Sequence, residues 1–145
     1  MRKQIEQVKQ FHDVYRQKYQ TSPTSQTDEI CNLRYKLGLE ELNEYKEAND
    51  GDDPVGIADA LADQLYILLG TILAHGMADI IEDVFDEVHR SNMSKLDENG
   101  NPIYREDGKI LKGPNYKKPD IGKIVHSYWE AERSQPEIPF GDAII

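Results

Sequence analysis

Five carboxylates carry the first chemical signal in this 145-residue chain. Two of them, Asp59 and Asp63, lie four residues apart and so share one face of the segment Pro54 to His75, PVGIADALADQLYILLGTILAH. Most of that segment is apolar on every side, the pattern of a helix buried all round. A carboxylate in such a helix is costly unless a cation, a partner or a proton neutralises it. The other three, Glu40, Glu41 and Glu44, fall where the stripe Ile30, Leu33, Leu37 would continue at helical spacing. On that reading they face inward, with Leu39 and Leu42 turned elsewhere and Tyr45 flanking. The plainer reading of EELNEYKEA is a solvated acidic face. An antiparallel hairpin brings the end of one helix beside the start of the next, so the two groups of acids can meet.

Four or five carboxylates without histidine or cysteine nearby are hard oxygen donors, suited to Mg²⁺ or Mn²⁺ rather than zinc. Mg²⁺ keeps waters and binds substrate phosphates, which points to phosphate chemistry. A metal pair there polarises a phosphoryl oxygen and activates a water for in-line attack. A di-iron bundle also gathers acids between helices, but it uses two Glu-x-x-His motifs. Here only Asp86-x-x-His89 comes near, with no second copy.

The elements that must position these acids are helices. Ile5, Val8, Phe11, Tyr15 and Tyr19 mark an amphipathic helix from about Arg2 to Tyr19, with Pro23 ending it. A second helix starts at Thr27, a capping residue followed by Asp28 and Glu29 in the positive first turn. Asn49 to Asp53 form a turn, and Pro54 opens the apolar helix behind an aspartate cap. Asp59, Asp63, Tyr66 and Gly70 share a stripe of it. Gly56 and Gly70, unfavourable inside a helix, permit a neighbour's close approach or serve packing. His75-Gly76 closes this helix.

A fourth helix, from about Ala78 to Lys95, carries Ile81, Val84 and Val88, with Asn92 and Lys95 at the polar end of the seam. From Leu96 the periodicity disappears. Asn99-Gly100 and Asp107-Gly108 are turn signals, and a small hairpin pairs Ile103–Tyr104 with Ile110–Leu111. Ile121 to Arg133 forms a short last helix, and the apolar tail PEIPFGDAII either docks on a partner subunit or frays. The expectation is a single all-α domain over 1–145: an antiparallel bundle of about four main helices, an irregular, partly hairpin segment at 96–120, and a short helix and tail at 121–145.

A formal net charge of −10 argues against a nucleic-acid polymer as partner, but not against one nucleotide held through a metal. From Arg90 to Lys123, eight lysines and arginines face five acids, a segment that offers cations to phosphate or is simply a solvated loop. Cys31 is the single cysteine, which excludes an intrachain disulfide. The polar start MRKQIEQVKQ lacks a secretory core. The longest apolar run is broken by two aspartates and flanked by glycines, a poor membrane span. A cytoplasmic protein without a membrane partner is expected.

The pattern Glu-Glu-x-x-Glu, then IADALADQLYILLGT, then VFDEVHRSNMSK, resembles the all-α nucleoside triphosphate pyrophosphohydrolases, the superfamily of MazG proteins, dimeric dUTPases and phosphoribosyl-ATP pyrophosphohydrolases. The resemblance spans about Leu33 to Asp120, and DGKILKGPNYKKPDI is similar to the C-terminal segment of the MazG-like/phosphoribosyl-ATP pyrophosphohydrolase-like branch. It implies Mg²⁺-dependent hydrolysis of a nucleotide between the α and β phosphates, giving a monophosphate and pyrophosphate. By that analogy Glu41, Glu44 and Asp63 coordinate metal, and Glu40 is a further ligand or orients the attacking water. Asn92 and Lys95 match polar residues near the nucleotide, with Lys95 on phosphate, and Tyr66 is a substrate-side candidate. The chain departs from the pattern once. The glutamate of the family's Glu-x-x-Asp would fall at Ala60, and Asp59 substitutes as a ligand from one residue earlier, so the metal count or the activity is in question.

The leading expectation is thus a Mg²⁺-dependent (or Mn²⁺-dependent) nucleotide pyrophosphohydrolase acting as a homodimer or homotetramer. The alternative is a non-catalytic nucleotide- or metal-binding helical module with a degenerate site.

Overall fold

The computed structural model describes residues 1–134 as five helices: α1 (Arg2–Val14), α2 (Asp28–Asp50), α3 (Pro54–Ala74), α4 (Ile81–Met93) and α5 (Ile121–Ser134). The all-α expectation holds. Among the described residues the one β feature is an isolated antiparallel bridge, Tyr104 to Ile110, where the small hairpin was expected. The apolar tail from residue 135 onward lies outside the described residues. The chain forms two compact units, one from Met1 to Ile81 and a second beginning at Glu82.

In the first unit, local chemistry sets the helix ends. Thr27 Oγ1 accepts from the Ile30 amide at 3.4 Å, with Asp28 and Glu29 in the first turn of α2. Asp53 accepts from the Val55 amide at 3.1 Å and Pro54 takes the first turn of α3. So short a turn leaves α2 and α3 antiparallel. The core joins Ile5 and Val8 of α1 to Leu69, Ile72 and Leu73 of α3, with Tyr19, Met77, Ala78 and Ile81 packed against them.

Polar ties fix α2 to α3. Arg34 donates from Nε to Thr71 Oγ1 (3.0 Å) and from a terminal nitrogen to the Ile67 carbonyl (2.5 Å). Gly70 makes this possible. A Cβ there would stand 2.4 Å from the Arg34 guanidinium and 3.2 Å from His12 Nε2. Of the two readings of Gly70, close approach is the one the structure adopts. Gly76, at φ +67°, closes the helix as expected, and a Cβ on it would fall 2.1 Å from the Ser22 carbonyl oxygen.

Three expectations need correction. First, α1 stops at Val14 rather than near Tyr19, because Arg16 turns left-handed at φ +57° and the Gln17 amide bonds back to His12. Nothing in the residue type announces this. Second, α4 starts at Ile81 and ends at Met93, so Lys95 lies past the helix end. Third, α3 is not buried all round. Its buried residues are Ala60, Leu69, Gly70, Ile72, Leu73 and Ala74, while Val55, Leu61, Leu65 and Leu68 are exposed. Within this unit only α1 and α2 pack on it, and they cover one side. By length and composition alone α3 could cross a membrane, with mean hydropathy 1.5.

The second unit is built on α4. Glu87 takes the Arg90 guanidinium at 2.6 and 2.7 Å and also accepts from the Asp120 amide at 2.7 Å. The Arg90 bond, then the Asp120 amide, hold the Glu87 carboxyl down to about 2. Ser94 Oγ accepts from the Lys117 amide at 2.8 Å, so the irregular segment is pinned back onto the end of α4.

Gly76→Ala is expected to destabilise the fold by about 1–3 kcal/mol, since it adds both left-handed strain and a backbone clash. Urea unfolding measures this, and a matched Gly38→Ala, where a Cβ meets nothing, should instead be neutral or slightly stabilising.

Candidate active site

The five acids come from the facing ends of α2 and α3. Gln64 fixes the pairing by donating from Nε2 to the Glu41 backbone carbonyl at 3.3 Å, which holds the Glu41 turn of α2 against the turn that carries Asp63. Around this tie the acids crowd one another. Burial raises the Glu41 pKa, and the negative charges of Glu44, Asp63, Glu40 and Asp59, in that order, raise it further. Each of the five sequence candidates thus contributes to one negative field.

Their exposure differs from the inward-facing expectation. Glu41 alone is half-buried, and Glu40, Glu44, Asp59 and Asp63 are exposed. The reason is that the stripe used to define the inward side runs along an edge, with Leu33 itself 52% exposed. The acids therefore line an open face beside the helix contact rather than a closed cage. Among the described residues, no three carboxylate, histidine or cysteine groups converge at metal-holding spacing.

The donor set still fits a hard divalent cation in kind. It offers oxygens only, and Glu41 Oε2 is buried with no hydrogen-bond partner. A buried carboxylate oxygen left unpaired in a field of four other negative charges is where a cation relieves the most energy.

Position 60 is informative. Ala60 is 2% exposed, so this position belongs to the helix packing. Asp59, its exposed neighbour, is the acid that reaches the shared field. Tyr66 lies one turn beyond Asp63, and its ring meets Phe11 of α1 edge-on at 5.7 Å. Asn92 and Lys95 belong to the second unit. Asn92 is exposed on α4, and half-buried Lys95 accepts the Gly113 amide on its carbonyl at 3.1 Å.

Sequence reasoning missed Gln64 and Arg34. The signal for Gln64 was its place beside Asp63 on a helix where a polar side chain needs a partner. Arg34 interrupts the leucine stripe, and a long cation there had to reach across to a neighbour.

The model of the phosphoribosyl-ATP pyrophosphohydrolase family matches residues 8–92, more than half of the chain. The chain belongs to that family. As a family member it is a pyrophosphohydrolase, and the match contains all five acids together with Gln64 and Asn92. Among solved structures, the chain is similar to one from Exiguobacterium sp. 255-15 described as a "putative NTP pyrophosphohydrolase", at 23% identity and a TM-score of 0.49, covering 90% of this chain and 96% of that one. No curated protein matches the sequence.

The crowding has a measurable sign. Glu41 has a raised pKa in the folded state, so its contribution is fully present below its unfolded value of about 4.5 and is lost as pH rises through the raised value. Glu41→Gln, which cannot ionise, should therefore raise the melting temperature of the metal-free protein at pH 7 by a few degrees and flatten that part of the pH profile, readable by calorimetry.

Proposed function

We propose that the protein is a Mg²⁺-dependent nucleotide pyrophosphohydrolase that splits a nucleoside triphosphate, or a related nucleotide such as the family's namesake phosphoribosyl-ATP, between the α and β phosphates. The products are a monophosphate and pyrophosphate. The observation that carries this reading is Glu41, whose buried, unpartnered oxygen stands in the field of four neighbouring acids within a pyrophosphohydrolase family member.

Glu41, Glu44 and Asp63 would hold the cation, with Asp59 completing the set from one residue before the packed Ala60. When bound, Mg²⁺ or Mn²⁺ neutralises phosphate charge and polarises the phosphorus centre. Glu40 acts as a further ligand or orients the attacking water by accepting its proton in a hydrogen bond. Gln64 positions Glu41 through its backbone, and Tyr66 sits one turn from Asp63 with an exposed edge for the nucleoside. The five acids gather on the open side of α2 and α3, which leaves a polyphosphate room to approach.

On this reading the enzyme works in the cytoplasm as a homodimer or homotetramer. Leu39, Leu42 and Leu68 line a groove of about 340 Å³ between α2 and α3, and together with Leu61 and Leu65 they leave an apolar surface that a second copy covers better than water does. The same contact accounts for α3 without a bilayer.

A panel of NTPs and dNTPs, incubated with and without Mg²⁺, is expected to yield pyrophosphate from at least one nucleotide in the presence of metal only. Asp63→Asn and Glu44→Gln should each lower that rate about 100-fold or more. Release of orthophosphate in place of pyrophosphate would contradict the bond assignment. The second reading, a non-catalytic nucleotide-binding module, is favoured by Ala60, and it predicts thermal stabilisation by nucleotide with no turnover.

A further inference from the structure

We propose that α1 is an acid-released clamp: His12, on its inner face, keeps the helix seated on α3 only while the imidazole is neutral, and protonation frees α1 to swing off the core. The clamp lies wholly within the first unit. Only its effect on turnover rests on the pyrophosphohydrolase reading above.

His12 shares the buried stripe of α1 with Ile5 and Val8 and is only 5% exposed. Those two aliphatics pack with Leu69, Ile72 and Leu73 of α3, so the imidazole is carried into the same contact. Its Nδ1 is buried with no hydrogen-bond partner. A neutral ring tolerates this, because the proton can stay on Nε2 and leave Nδ1 as an unpaired acceptor. An imidazolium must instead place a proton on Nδ1 with nothing to receive it. Gly70 brings a permanent cation to the same place. A Cβ on that glycine would lie 3.2 Å from His12 Nε2 and 3.2 Å from the central carbon of the Arg34 guanidinium. Arg34 is itself half-buried, and its bonds to the Thr71 hydroxyl and the Ile67 carbonyl leave its charge uncancelled.

Every element around the ring enters the same balance. On α1 itself Asp13 is the favourable charge, but it is exposed and accepts from the Tyr19 hydroxyl at 3.1 Å. The Tyr19 ring stands 6.3 Å from the imidazole and carries Lys9 Nζ 5.8 Å from its centre. From α2 comes Arg34, and α3 presents the Gly70 backbone. Burial first, and then Arg34, hold the His12 pKa below its ordinary 6.5 against the opposing pull of Asp13. The stability this neutral base contributes is complete above the unfolded value of 6.5 and is lost as pH falls from there toward the folded value. The chain after α1 supplies a hinge. The Gln20 amide donates to the Leu73 carbonyl at 3.1 Å, the Thr24 amide to the His75 carbonyl at 3.0 Å and Gln26 Nε2 to the Ala74 carbonyl at 2.6 Å. These bonds keep residues 20–26 on the end of α3 without help from α1. Between them and the helix lies Arg16 at φ +57°, a strained conformation that release of α1 relaxes. Opening of this terminal helix is therefore a local event, driven by a histidine that titrates near neutrality.

The test is amide hydrogen exchange of the intact chain at about pH 7.5 and about pH 5.5, corrected for intrinsic rates, together with an NMR titration of the His12 ring. The ring is expected to titrate below 6.5. Amides of α1 should lose about tenfold in protection at the lower pH while those of α2 keep theirs. His12→Leu and His12→Gln cannot take up the proton, so each should abolish the pH dependence of α1 protection. A ring that titrates at or above 6.5, α1 protection that does not change with pH, a loss that survives both variants, or an equal loss in α2 overturns the clamp. Should both variants fail to fold, the wild-type titration and exchange decide it. In turnover, release takes Phe11 off the Tyr66 ring, so KM for the nucleotide should rise on acidification more in wild type than in His12→Leu. Acid release of α1 in a protein that hydrolyses no nucleotide would sustain the clamp and overturn the pyrophosphohydrolase reading instead.

Discussion

Mutual repulsion among Glu40, Glu41, Glu44, Asp59 and Asp63 is the constraint on which the first unit turns. Left alone, like charges at the facing ends of two helices push the helices apart. The fold resists through Gln64, which ties its amide to the Glu41 backbone, and through Arg34, which ties α2 to Ile67 and Thr71 further along. The acids are thereby held in a crowded state that costs the fold energy, as the raised Glu41 pKa records. Such a state is unfavourable for a purely structural bundle and useful for an enzyme of the phosphoribosyl-ATP pyrophosphohydrolase family.

The second unit obeys the opposite electrostatic logic. There three acids are spent on backbone amides and arginines. Glu87 serves Arg90 and Asp120, Asp107 serves Arg105, and Asp97 serves the amides of Asn99 and Asn101. Near Tyr116 the Lys112 and Lys95 cations stand without a carboxylate partner among the described residues and, after the hydrogen bond to Ser91, help to lower the phenol's pKa. One unit thus presents unpaired carboxylates and the other unpaired ammonium groups, although the chain as a whole is acidic.

The sequence made the helices, the Thr27 and Asp53 caps, the Gly76 stop and the membership of the acid cluster legible, because each follows from neighbours along the chain. What it hid depended on partners distant in sequence. The left-handed Arg16 carries no glycine to announce it. The stripe Ile30, Leu33, Leu37 was periodic but lay at an edge, since periodicity reports that an apolar face exists and not how much of it a single chain can cover. The same limit explains α3: its composition demands burial on every side, and α1 and α2 supply one side.

Gly70 has a mechanical consequence. By giving Arg34 passage to the carbonyl of Ile67, it makes one end of the α2–α3 pair a fixed support, while the short turn at Asp53 fixes the other. The charged span lies between two anchors, as a beam does. Its helices are held against splaying under their own electrostatic load, so the spacing between the two rows of acids is set by the fold and not by the charges.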